Sequence, residues 1–164
     1  MVQPKTEGRV EVEASCDQAG ALCELVRGAQ HVVRIFSDYL SPQLFDNAEL
    51  ASELSRVARH GPICEVRILI KNSQFLTKRA HRLGTLHRRL ASSVLLRKLT
   101  YCPDHFVANY VLTDDQGIFF IPNEDDKVCF WNRDDRPLVK HYLQQFDDLW
   151  QRSGEDPEMR YMPM

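Results

Sequence analysis

Apolar positions recur along this chain in two periods, one of two residues and one near three and a half. Arg9–Ala14 alternates Val and Glu, as a half-exposed strand does. His31–Phe36 is a short β-branched run of the buried-strand kind, and Glu65–Ile70 and Val94–Leu99 read as further strands. Between them the period lengthens. Ala19, Leu22, Cys23 and Val26 share one helical face, opened by Asp17 as a cap and stopped at Gly28. Leu50, Leu54 and Val57 share another, with Asp46 and Glu49 spaced as a capping box and Gly61-Pro62 as the stop. A third helix is expected over Leu76–Leu90, with Leu76, Ala80, Leu83 and Leu90 inward.

The second half changes character. Phe106–Thr113 and Ile118–Ile121 flank Asp114-Asp115-Gln116-Gly117, a hairpin signal, and Val128–Trp131 is a further short strand. Pro137–Gln151 is expected to close the chain as a helix burying Leu138, Tyr142, Phe146, Leu149 and Trp150. The predicted order is β-α-β-α-β-α-β-β-β-β-α. Early βα alternation followed by hairpins predicts an α/β fold, a mixed β-sheet sandwiched by helices. A length of 164 residues fits one domain over 1–164, with its core at about 9–151 between a short polar N-terminus and a C-terminal tail.

Composition adds one thing the pattern does not. From Val66 to Pro103 there is no acidic residue, while nine Lys/Arg occur; elsewhere 12 basic residues face 23 acidic ones. Such lopsidedness predicts a positive patch on an otherwise acidic surface. Guanidinium forks suit phosphate oxygens, so Lys71, Arg79, Arg82, Arg88 and Arg89 are the candidate ligand-binding residues. The ligand class is phosphate-bearing: nucleic acid, nucleotide or anionic headgroup. The competing reading is a solvated helix face paired with Glu124–Asp126 and Asp134-Asp135.

Other chemistries find little. Five cysteines (Cys16, Cys23, Cys64, Cys102, Cys129) form no CxxC pair, so neither a disulfide framework nor a zinc knuckle is indicated; Cys64 and Cys129 are expected in the core. His81 and His87 are six apart, wrong for two ligands on one helix face, and Cys102 with His105 lacks a second pair. No metal or other cofactor is expected. No apolar run reaches the ~20 residues of a membrane span, Met1–Gly8 lacks a signal-peptide core, and a cytoplasmic location is expected.

The ordered set of pieces resembles one half of a phospholipase-D-like domain, from about Ala19 to Trp150. These are the strand His31–Phe36, the stretch Tyr39-Leu40-Ser41-Pro42, a helix ending VARHG, a strand VRILI, the hairpin VLTDDQGIFF and the terminal Phe146, Leu149, Trp150. More narrowly, AHRLGTLHRRLASSVLLRKL and WQRSGEDPEMR resemble a bacterial family of unknown function, whose members occur alone or joined to an acetyltransferase domain. That resemblance makes an acetyltransferase a partner to consider. In the phospholipase-D-like family a strand carries His-x-Lys, four residues and Asp, followed by Gly-Ser-x-Asn. Aligning the Asp with Asp114 places Asn109 at the lysine position and Val107 at the histidine position, and Ile121-Pro122 replaces Gly-Ser. Valine cannot attack phosphorus and asparagine carries no charge, so the family's chemistry is not expected here.

The resemblance and the basic segment together lead to the expectation of a non-catalytic domain whose old phosphodiester cleft or nearby basic helix holds a phosphate-bearing ligand. Its alternative is a protein-interaction module, since two halves join in that family and a homodimer or docking onto another protein would complete the pair. A divergent phosphodiesterase using His105 ranks third; His105 lies two residues before Val107, displaced along the strand by roughly 6–7 Å.

Overall fold

In the computed structural model, residues 8–13, 17–100, 109–121 and 128–154 are described. The strands are β1 (Val10–Glu13), β2 (Val32–Ser37), β3 (Glu65–Ile70), β4 (Val94–Leu99), β5 (Asn109–Thr113), β6 (Gly117–Ile121), β7 (Val128–Asn132) and the two-residue β8 (Ser153–Gly154). The helices are α1 (Gln18–Arg27), α2 (Pro42–Phe45), α3 (Ala48–Arg59), α4 (Gln74–Lys78), α5 (Arg82–Arg89) and α6 (Arg136–Gln151). All eight strands form one mixed sheet in the order β1-β7-β6-β5-β2-β3-β4-β8. β2, β3 and β4 are parallel neighbours, and the remaining pairings are antiparallel.

Strand alternation divides the core in two. Val33, Ile35, Val66, Ile68 and Ile70 point to one side, where Leu22 and Val26 of α1, Leu50, Leu54 and Val57 of α3, and Leu83 and Leu86 of α5 cover them. Phe36, Leu69, Leu99, Tyr110, Leu112 and Ile118 point to the other, under Leu138, Val139, Phe146, Leu149 and Trp150 of α6. The expected α/β sandwich is therefore what the chain adopts. Cys64 and Cys129 are buried as expected, and so are Phe146 and Trp150. Cys23 is buried too, and burial pushes its thiol up to about 11, which leaves it protonated and unreactive.

Asp17 caps α1 as expected, its Oδ1 accepting the Gly20 N–H at 2.8 Å. The hairpin signal also holds. Asp114 turns the chain with φ 53, and its carboxylate accepts the N–H groups of Gln30, His31 and Val32 at 3.1, 2.9 and 3.0 Å. Gly117 at the far side of that turn leaves room for Thr113 Oγ1, which a Cβ there would meet.

Three expectations need correction. The cap of α3 is Asn47, not Asp46: Asn47 Oδ1 accepts the N–H groups of Glu49 and Leu50 at 2.8 and 3.4 Å. The single helix expected over Leu76–Leu90 is two, α4 and α5, broken at Arg79–His81. His81 is extended (φ −132, ψ 134) and caps α5, which turns Ala80 out to solvent instead of inward. The strand β8 was not expected; Ser153-Gly154 has no strand propensity and is held by pairing with Leu99 and Lys98.

Candidate functional site: an arginine-lined groove beside the sheet

α3 and α5 each return the chain from the end of one parallel strand to the start of the next, so they lie side by side and run the same way. Side chains on a helix recur at three, four and seven residues. On α3 this aligns Ala48, Ala51, Ser52, Ser55 and Arg59; on α5 it aligns Arg82, Thr85, Leu86 and Arg89. Because the α3 stripe is made of small residues up to its last turn, the two helices leave a groove of about 830 Å³ between them. Arg56, Arg59, Arg82 and Arg89 line it, with Asp46 as its one carboxylate.

These four arginines are not equivalent. Arg56 is committed: its Nη2 donates to the carbonyls of Val26, Arg27 and Ala29 at 3.3, 3.1 and 3.1 Å, tying down the end of α1, and its Nε pairs with Glu53 at 2.9 Å. Arg82 is paired with Asp46 twice, through its backbone N–H at 3.1 Å and its Nη1 at 3.2 Å. Arg59 and Arg89 are exposed and have no hydrogen bond or ion pair among the described residues. The hydroxyls of Ser52, Ser55 and Thr85 are likewise uncommitted among the described residues, although helical Ser and Thr often bond back to a carbonyl one turn earlier.

His81 closes one end of this groove. Its Nδ1 accepts the Leu83 N–H at 3.1 Å, so Nε2 carries the proton and donates to the Leu40 carbonyl at 3.1 Å. Leu40 itself has a left-handed backbone, φ 57. Burial pushes the His81 pKa below its ordinary value, opposed by the Leu40 carbonyl and by Asp46 and assisted by Arg82.

Of the five residues expected to bind ligand, Arg82 and Arg89 face the groove. Arg79 is exposed in the break between α4 and α5, and Arg88 is on the exposed side of α5 and does not line the groove. Lys71 lies elsewhere, just past the end of β3, with its Nζ 5.7 Å from the Phe36 ring centroid. Sequence reasoning missed Arg56 and Arg59. They belong to a helix outside the acid-free segment, and only the packing of α3 on α5 joins them to it. The pairing expected with Asp134-Asp135 takes another form: Asp134 pairs with Arg136, and Asp135 is buried as the cap of α6. Glu124–Asp126 lie outside the described residues.

The sheet end where the family's chemistry would sit is a different place. Asn109, which the sequence resemblance sets at the lysine position, is buried, and its Oδ1 accepts the Asp38 N–H at 2.7 Å. Ser37 Oγ accepts the Leu40 N–H at 3.1 Å, and the Asp38 carbonyl accepts from Lys71 and Asn72. Asn109 is thus a peg for the loop after β2. His105, Val107, Cys102 and Pro122 lie outside the described residues. Among the described residues no cluster of His, Cys, Asp and Glu could hold a metal, and no helix is long and apolar enough to cross a membrane.

Comparison with solved structures gives the fold a name. The chain is similar to Nuc from Salmonella typhimurium, a phospholipase D family member, at TM-score 0.65 and 12% identity, over 94% of this chain and 99% of that one. NucT from Helicobacter pylori matches at TM-score 0.64 and 13% identity, over 94% and 100%. TrmBL2, an archaeal chromatin protein with a novel mode of DNA binding, matches at TM-score 0.66 and 15% identity, over 92% of this chain and 54% of that one. The chain thus spans about half the length of TrmBL2 and the whole of the two smaller proteins. At these identities the likeness establishes the phospholipase-D-like fold alone. A comparison with curated protein sequences finds no match. A family model described as "Domain of unknown function (DUF7931)" matches residues 15–162.

Proposed function

The chain belongs to the DUF7931 family, and from that premise we propose that it is a non-catalytic phospholipase-D-like domain holding a phosphate-bearing ligand between α3 and α5. The observation that carries this reading is the convergence of Arg59 and Arg89, neither with a partner among the described residues, on one groove with Arg56 and Arg82. An unpaired guanidinium on an open surface is ordinary. Glu53 and Asp46 already match Arg56 and Arg82, so Arg59 and Arg89 are the guanidinium groups left to attract an anion, and a phosphate accepts their planar forks two bonds at a time. Asn109 supports the loss of phosphodiester chemistry: it is neutral where the family has a cation, and its oxygen is already bonded to backbone.

The DNA binding named for TrmBL2 makes nucleic acid one ligand of this class. The reading is tested by titrating the protein with inorganic pyrophosphate in a calorimeter, and with a fluorescent oligonucleotide followed by anisotropy at two salt concentrations. Binding of one or both is expected, falling with salt and lost in Arg59→Glu/Arg89→Glu. If the intact protein binds neither, or the double variant binds as well as the parent, the reading fails.

A further inference from the structure

We infer that the groove takes a nucleotide-sized phosphate ester, phosphate at the Arg59–Arg89 end and hydroxylated body toward His81, rather than a length of nucleic acid strand. This rests on the reading above that phosphate enters the groove. The groove is polar along its length. Because α3 and α5 run side by side in the same direction, their last turns place Arg59 and Arg89 together at one end, beside Arg56, whose charge Glu53 matches. At the other end Arg82 is already neutralised by Asp46. The groove is therefore cationic at one end and close to neutral at the other. A polymer with a charge on every residue would meet a match at only one of them.

Ser52 and Ser55 on α3 and Thr85 on α5 line the middle of the groove, and their hydroxyls have no partner among the described residues. Each offers one donor and two acceptor positions, which suits the hydroxyl groups of a sugar and gives a bare inorganic anion little. Ala48, Ala51 and Leu86 supply the apolar surface against which a ring can lie. At the neutral end, Asp46 accepts from Arg82 through Oδ1 alone, so a carboxylate oxygen remains to accept from a ligand hydroxyl or ring N–H.

Arg82 to Arg89 spans two helical turns, roughly 10 Å. A volume of about 830 Å³ falls within the range of small-molecule sites, roughly 300–1,000 Å³. On α3 the lining from Ala48 to Arg59 runs roughly 16 Å, and these dimensions fit a phosphorylated nucleoside with its phosphates.

The test uses the intact protein and four probes in parallel: adenosine monophosphate, adenosine triphosphate, inorganic pyrophosphate and a ten-residue oligonucleotide (roughly the length a single-strand module covers). Saturable one-to-one binding of adenosine triphosphate is expected, tighter than that of pyrophosphate. Arg89→Ala should weaken it by about tenfold to a hundredfold, the range for a charge-assisted hydrogen bond. Ser55→Ala/Thr85→Val should reduce adenosine triphosphate binding severalfold while leaving pyrophosphate unchanged, a split that a folding defect would not produce. Binding of the oligonucleotide but not of either nucleotide would overturn this inference and leave the phosphate-binding reading standing. Equal affinity for pyrophosphate and adenosine triphosphate, with no effect of the hydroxyl variants, would also overturn it. Failure of all four probes would remove both.

Discussion

Two polar regions of the molecule lie close in sequence to its basic segment and differ in where their hydrogen bonds go. At the sheet end, Asn109 accepts the Asp38 N–H, Ser37 Oγ accepts the Leu40 N–H, and the Ser37 and Asp38 carbonyls accept from the first residues after β3. In the groove beside the sheet, Arg59, Arg89 and three hydroxyls have no such commitments among the described residues. Polar groups buried without partners are costly, so those at the sheet end satisfy each other and stabilise the fold. The groove polar groups sit in water, cost nothing to leave open, and remain available. The lesson is that the polar groups at the sheet end are spent on the fold, and the unspent polar capacity lies in the groove between α3 and α5.

Substitutions can break that comparison, and the largest effect is expected at the sheet end. Asn109→Ala strips the Asp38 N–H of its acceptor in a buried position and should cost about 2 kcal/mol, read as a shift of the urea midpoint at unchanged slope. Asn109→Ala should leave pyrophosphate binding intact. Arg56→Ala comes next, at about 1–2 kcal/mol, because three carbonyls at the end of α1 lose a shared charged donor. Arg59→Ala and Arg89→Ala should be nearly silent in stability, about 0.5 kcal/mol each, since each loses only a cation near a helix C-terminus. A reversal of this order, with the two free arginines more destabilising than Arg56, would mean that the groove cations serve the fold and not a ligand.

The smallest effect belongs to His81 and sharpens the same contrast, because it links the groove to the loop after β2. Its folded pKa is depressed by burial, so the unfolded chain takes up this proton first as pH falls. The stability contributed by neutral His81 is therefore complete above about pH 6.5, the ordinary value for histidine. It is lost progressively as pH falls from there toward the lowered folded value. His81→Asn retains a cap for α5 without titrating, and should flatten the dependence of melting temperature on pH between about pH 7 and 5. An unchanged pH profile in that variant would place the titrating group elsewhere.

The sequence made the sheet legible because short apolar runs such as Glu65–Ile70 and Val94–Leu99, too short for a helix, suit buried strands, and both match the observed strands to the residue. The hairpin was legible because Asp tolerates the left-handed backbone found at Asp114 and a glycine at 117 leaves room for the Thr113 hydroxyl. The break at Arg79–His81 was not. Leu76 and Leu83 are seven apart and fit one continuous helix as well as two, and a histidine whose ring caps a helix leaves no pattern in the apolar positions. Half of the groove was legible in the acid-free segment, through Arg82 and Arg89. Arg56 and Arg59 were not, because their membership depends on the α3–α5 packing and not on proximity along the chain.

The account stands most directly on where an anion lands. Arginine side-chain Nε–H signals can be followed by nuclear magnetic resonance while pyrophosphate is added to the intact protein. Shifts concentrated at Arg59 and Arg89, saturating together and absent at Arg67 and Arg97 under α6, are the result the account requires. Saturating shifts confined to Arg67 and Arg97, or none at any arginine, would contradict it.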